Sequence, residues 1–192
     1  MSTNARAPIG SVEEMRRRFD AVFAAPPAPR AAAITSFLGL RIGGDGFVLR
    51  IQALSGLAAA RTIVPLPGAA PAMLGLAGIR GLVVPVFSLS ALMGYGSQPP
   101  RWFALCAGQG GDTIAFSFSD FDGYLEALVS DVRADDSIEP REHRSARRPS
   151  SSRELVREVV RAQGELRGVI DLSLLVKAAY ETVPAAGLMK ER

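Results

Sequence analysis

The sequence predicts a mostly β fold, either small barrels or a sandwich, and three observations predict it. Seven or eight short apolar runs recur at fairly regular spacing between Ser36 and Ile170. Turn signals rich in glycine and proline separate them. No helix of useful length falls between successive runs, which argues against a doubly wound parallel sheet. The chain has 192 residues, enough for one domain or two small, tightly packed subdomains. Its residues are 48% hydrophobic but only 7% aromatic, so Leu, Val, Ile and Ala must do most of the packing.

At the N-terminal end, Ser11 and Glu14 form a capping-box pattern, and Val12, Met15, Phe19, Val22 and Phe23 then share one helical stripe. Pro26, Pro27 and Pro29 stop that helix. Phe37 to Ile42 and Phe47 to Ile51 read as a hairpin turned by Gly43-Gly44-Asp45-Gly46, where positive φ costs little. Gln52 to Ala60 is irregular, Arg61 to Val64 is a short strand, and Pro65 to Pro71 is an extended loop. Met73 to Ile79 and Leu82 to Val86 flank a tight turn at Arg80-Gly81. Ser88 to Met93 is one helical turn, ended by Gly94. After a linker from Gly94 to Pro100, Arg101 to Ala107 and Thr113 to Phe118 flank a glycine-rich turn. Phe121 to Leu128 continues into a further strand. Asp135 to Ser152 is polar and arginine-rich and reads as a loop, and Leu155 to Arg161 fits strand and helix equally well. Leu166 to Ile170 is a strand, after which Asp171 caps a last helix ended near Pro184.

Several kinds of chemistry are poorly supplied. The one cysteine, Cys106, excludes an intrachain disulfide and a cysteine-based zinc site, and it suits a reducing cytoplasm. It lies in an alternating apolar strand and reads as a small buried hydrophobe. The one histidine, His143, sits among charges with no positioned partner. Gly108-Gln109-Gly110-Gly111 lacks the Lys-Ser/Thr and helix of a phosphate loop. No Gly-x-Ser-x-Gly elbow surrounds Ser117 or Ser119. Asp131, Asp135, Asp136 and Glu139 lack calcium-loop spacing. No apolar run approaches the about 18 residues of a membrane span, and Met1 to Gly10 has no signal-peptide character. The net charge of +3 is too small to imply nucleic acid. Arg141, Arg144, Arg147, Arg148 and Arg153 cluster among serines, either as a solvated loop or as a steering patch for an acidic partner. No cofactor is expected.

The stretch Gly75-Leu76-Ala77-Gly78-Ile79-Arg80-Gly81-Leu82-Val83-Val84-Pro85-Val86-Phe87-Ser88-Leu89 resembles the signature of the CheW-like coupling domain. The hairpin from Phe37, the loop at Pro67 to Pro71 and the closing Ile170-Asp171-Leu172-Ser173-Leu174-Leu175 stand in the family's order. The resemblance covers about Ser36 to Ala179. It implies a pair of five-stranded, SH3-like barrels around a shared apolar core, with an N-terminal and a C-terminal helix. It also implies a non-catalytic, cytoplasmic adaptor recruited to membrane-associated receptor arrays. Such an adaptor joins the cytoplasmic tip of methyl-accepting chemoreceptors to the regulatory domain of a CheA-type histidine kinase. The receptor's helix hairpin lies between the barrels, and the barrel ends meet the kinase. Neither nucleic acid nor direct membrane insertion is implied.

On this basis residues 1–35 are an N-terminal helix and linker, 36–182 the CheW-like domain and 183–192 a tail. Within the domain, residues 36–94 with the last helix are expected as one subdomain and 101–170 as the other, the chain crossing near Gly94 to Pro100. The partner-binding candidates are Arg80, Gly81, Leu76, Gly78, Val84, Val86 and Gly56. Arg80 either meets a partner's carboxylate through its planar fork or is a solvated turn residue. Gly78 and Gly81 serve backbone geometry, and Leu76, Val84 and Val86 line a groove or are core on both faces. Three polar positions of the family pattern are altered here, to Gly56, Gly78 and Ser88. A scaffold in a related array outside taxis, with different partners, is therefore the second reading, and a small hydrolase the third.

Overall fold

The computed structural model describes residues 33–135 and 149–183, together with Arg16. Contacts divide the chain into Met1–Ala33 and Ile34–Arg192, and the second unit carries the sheets. The helix expected at Val12 to Phe23, residues 136–148 with most of the arginine cluster, and the segment from 184 onward lie outside the described residues.

Among the described residues, the chain is mostly β and builds two six-stranded sheets. The first holds β1 (Ile34–Ile42), β2 (Asp45–Arg50), β9 (Asp120–Leu128), β10 (Val132–Ala134), β11 (Val156–Ala162) and β12 (Glu165–Ile170), in the order β10-β11-β12-β2-β1-β9. The second holds β3 (Gly56–Ala59), β4 (Ile63–Val64), β5 (Met73–Ile79), β6 (Leu82–Ser88), β7 (Trp102–Ala107) and β8 (Thr113–Phe118), in the order β3-β7-β8-β6-β5-β4. Three α-helices are described: α1 (Leu89–Leu92), α2 (Ser150–Leu155) and α3 (Leu172–Glu181).

Alternation along the strands sorts the apolar side chains into three cores. Phe37, Val48, Leu125, Val160 and Val169 fill the inside of the first sheet. Ile79, Val84, Val86, Phe103 and Leu105 fill the inside of the second. The opposite strand faces meet between the sheets, where Leu38, Leu40, Ile42 and Phe47 pack with Phe87, Ile114, Phe116 and Phe118. Leu175, Val176 and Ala179 of α3 join this central cluster, so the last helix seals the junction. The strands of this junction are therefore buried on both faces, which explains their almost continuous apolar sequence.

The division of the chain between the sheets differs from the expected one. The chain leaves the first sheet after β2, builds the whole second sheet, and returns at β9. The linker from Gly94 to Pro100 is internal to the second sheet, because β6 before it pairs in parallel with β8 after it. Each sheet also has six strands, against an expectation of five per barrel. The two additional strands are short ones. β3 pairs with β7 inside the stretch that reads as irregular, and β10 pairs with β11. Neither carries a local pattern strong enough to be seen without its partner. Residues Ser150–Leu155, which read partly as loop, are helical, and the ambiguous segment after them is the strand β11.

A repeated device closes both halves. In each, a hairpin turns through two residues at positive φ: Arg80 (φ 52) and Gly81 (φ 81) in one, Gln163 (φ 51) and Gly164 (φ 79) in the other. The second strand of each hairpin then pairs in parallel with a distant strand and runs into a helix. Ser88 caps α1 by accepting from the Ala91 amide, and Asp171 caps α3 by accepting from the amides of Ser173 and Leu174. Ser and Asp are interchangeable in that role, so the Ser88 departure from the family pattern preserves its physics.

Candidate partner-binding site

The β5–β6 hairpin carries most of the candidate residues. Its register pairs Ile79 with Leu82 and leaves Arg80-Gly81 as a two-residue loop. Positive φ at both loop residues is what a type I′ turn requires, and it matches the right-handed twist of the strands. Glycine adopts it freely at position 81, whereas a side-chain-bearing residue at φ 52 is uncommon. Arg80 is exposed, and its guanidinium lies across Gly56 of β3. A Cβ built on Gly56 would stand 3.1 Å from one terminal guanidinium nitrogen of Arg80 and 3.2 Å from the other. Among the described residues Arg80 has no hydrogen-bond or ion-pair partner. The turn and Gly56 together present a positively charged plane with its donors free.

Gly78 has open space around its missing side chain and no positive φ, so the backbone does not demand glycine there. Of the two roles open to Val84 and Val86, burial favours the core: they are 1% and 0% exposed and lie in the core of the second sheet. On the other face of the hairpin Val83 is 74% exposed and Leu76 half-buried, while Leu82, on the face of Val84 and Val86 but at the tip, is 57% exposed.

A second surface has no counterpart among the sequence candidates. Trp102 of β7 lies 5.5 Å from Phe121 of β9, ring centre to ring centre, and Phe121 lies 5.5 Å from Tyr124. These rings step from one sheet to the other across the junction. Trp102 and Phe121 pack on the central core, while Tyr124 is 65% exposed. On the same outer face Ile34 pairs with Leu128, and both are exposed. The pairing of β1 with β9 joins Ile34 to Leu128, and the meeting of β7 with β9 joins Trp102 to Phe121.

The described residues assemble no reaction centre. Cys106 is buried in the central cluster, and burial pushes its thiol up to about 11. A thiol raised that far is protonated at neutral pH and is a poor nucleophile. A disulfide-exchange reagent is therefore expected to leave native protein unlabelled and to label one thiol per chain in denaturant. Labelling at an equal rate without denaturant would contradict the burial. No cluster of three potential metal ligands occurs among the described residues. No helix among them is long and apolar enough to cross a membrane.

Two six-stranded sheets thus share one apolar core, with exposed surfaces at a hairpin tip and at their junction. A model of the CheW-like domain family matches residues 36–180, and the chain belongs to that family. Members of the family act as scaffolds and not as enzymes. Among solved structures, the chain is similar to the scaffolding protein TtCheW from Thermoanaerobacter tengcongensis. The identity is 12%, the TM-score 0.56, and the likeness covers 72% of this chain and 90% of that one. At that identity the likeness speaks for the fold. No curated protein matches the chain by sequence.

Proposed function

We propose that this protein couples chemoreceptors to a CheA-type histidine kinase as a non-catalytic adaptor in the cytoplasm. The observation that carries the proposal is the presence of two chemically different exposed surfaces on one continuous core. The hairpin tip, with Arg80 laid on Gly56, takes the kinase regulatory domain through a charge-assisted contact. The aromatic step at the junction, ending in Tyr124, takes the receptor's helix hairpin. An apolar helix stripe suits that surface, with aromatic anchors supplying affinity and polar neighbours such as Glu126 setting register. The central core lies between the two sites, so occupancy at one can bias the other only through differential contacts in the kinase's two states.

Calorimetric titration with a receptor-tip fragment and with the kinase regulatory domain tests this. Tyr124→Ala is expected to weaken receptor binding by about 2 kcal/mol, the size of a typical aromatic hot spot. Its affinity for the kinase domain should be unchanged. Wild-type receptor affinity in this variant would remove the junction from the site. Failure of the wild-type chain to bind either fragment would favour a scaffold with other partners, consistent with the altered Gly56 and Gly78.

A further inference from the structure

A groove of about 970 Å³ runs along the exposed flank of the β5–β6 hairpin. Leu76, Leu82 and Val83 form one wall, Leu66 of the preceding loop another, and Tyr180 of α3 a third. The third wall is held in place, because the Tyr180 phenol is hydrogen-bonded with the Gln109 backbone. Leu82 and Val83 are exposed side by side, and an open apolar patch favours being covered. Among the described residues the lining carries one charged side chain, the exposed Asp112, and no ion pair holds it.

An occupant that satisfies this groove brings apolar side chains with a cation beside them, and the hairpin itself presents that combination. Arg80 stands two residues before Leu82 and three before Val83, with its donors free among the described residues. No acidic residue occurs from Ile51 to Pro100, so the hairpin and the loop before it offer Arg80 no carboxylate. The nearest carboxylate to the exposed pair belongs instead to the β7–β8 loop. β6 and β8 are parallel, with Val86 opposite Ala115, and three residues back along each strand the same register sets Asp112 level with Val83. A cation at the tip, an apolar pair next to it and a carboxylate beside that pair make a patch complementary to its own image under a twofold rotation.

We infer that this hairpin docks on a second copy of the chain, with Leu82 and Val83 of both copies packed across a twofold axis and Arg80 of each meeting Asp112 of the other. One patch serves both copies, so the assembly closes at two. A guanidinium and a carboxylate at the border of an apolar contact form a charge-assisted, bidentate pair, and the twofold makes that pair twice. The dimer covers the turn that carries Arg80, so a chain within it has no free tip for the kinase. This regulatory consequence rests on the kinase reading of the hairpin, whereas the dimer does not.

Sedimentation equilibrium of the full chain, from micromolar to millimolar concentration, is expected to show monomer and dimer only. Arg80→Asp and Asp112→Arg each set like charges together and should each weaken the dimer at least about tenfold. Combining Arg80→Asp with Asp112→Arg restores opposite charges in both pairs and should return most of the affinity. Both positions are exposed, so thermal melts should show all three variants folded. Adding the kinase regulatory domain should dissociate the wild-type dimer. A chain that stays monomeric throughout, or a mass that keeps growing beyond two copies, would overturn the twofold docking. So would a dimer indifferent to both single reversals. A combined variant as weak as the single ones would overturn the reciprocal charge pairing. Kinase domain bound to an intact dimer would overturn the competition alone. Absence of kinase binding, with the reversals behaving as expected, would instead count against the proposed function.

Discussion

Asp122→Ala is expected to lower the thermal midpoint by roughly 6–12 °C, a loss of about 3 kcal/mol in a chain of this size. The reason is a four-membered charge cluster at one end of the first sheet's core. Asp122 accepts from Arg167 at 2.7 Å and pairs with the Arg41 guanidinium at 3.0 Å. Glu165 accepts from both arginines at 2.9 Å. The Arg167 side chain is only 4% exposed and points along the same face as Val169, into the barrel end. Gly46 lies opposite, where an added Cβ would stand in van der Waals contact with the Arg167 Cγ at 3.4 Å. A register shift in β9 places Asp122 beside these groups. Removing Asp122 takes away the closer of the two carboxylates that hold the buried Arg167 guanidinium and leaves it only the half-solvated Glu165 among the described residues. The cost is set at the low end for a buried pair because Asp122 itself is 21% exposed. Glu165→Ala should cost no more than about 1 kcal/mol, because Glu165 is half in solvent. Adding Arg167→Met to Asp122→Ala should recover part of the loss, since an apolar side chain needs no counter-charge. A midpoint for Asp122→Ala within a degree of wild type would show that the cluster is solvated and structurally neutral.

That cluster marks where the sequence stops being informative. The hairpins at Gly43-Gly44 and Arg80-Gly81, the α1 turn, the linker and the capped last helix are local patterns, and each is legible from its own residues. The cluster joins Arg41 to Glu165 across 124 positions, and no local rule pairs them. The same holds for the Trp102–Phe121–Tyr124 step, which exists only because β7 and β9 meet at the junction. Which face of an apolar strand looks inward is also illegible. In β6 the residues on both faces are apolar, so only the register distinguishes Val84 and Val86 from Val83. The crossover is misplaced in the sequence reading for a related reason. The linker from Gly94 to Pro100 has the composition of a domain boundary, but the parallel pairing of β6 with β8 is a long-range choice that composition does not encode.

Arg80 is the position where stability and binding should part company. Its φ of 52 puts a side-chain-bearing residue in the left-handed region, which costs roughly 1–2 kcal/mol relative to a right-handed conformation. Strain kept at an exposed turn is a motive for assigning the residue a role outside the fold. Three substitutions separate the terms. Arg80→Gly relieves the strain, so the thermal midpoint should hold or rise by a few degrees. Arg80→Ala keeps the strain and loses only an exposed side chain, so the midpoint should stay within the equivalent of about 0.5 kcal/mol. Both should lose about 1.5–3 kcal/mol of affinity for the kinase regulatory domain, the worth of a hydrogen bond to a charged group. Arg80→Lys should recover only part of that, since an ammonium cannot reproduce the planar fork. The contact with Gly56 adds a fourth arm. Gly56→Asp places a carboxylate under the guanidinium and supplies within the chain the charge that the partner otherwise brings, so affinity should fall although Arg80 remains. Calorimetry on the wild type and the four variants, with thermal melts of each, reads both quantities. Wild-type affinity in Arg80→Gly would remove the tip from the interface. A fall in stability matching the fall in affinity would make Arg80 a structural residue of the hairpin, with its guanidinium needed on Gly56 and not on a partner.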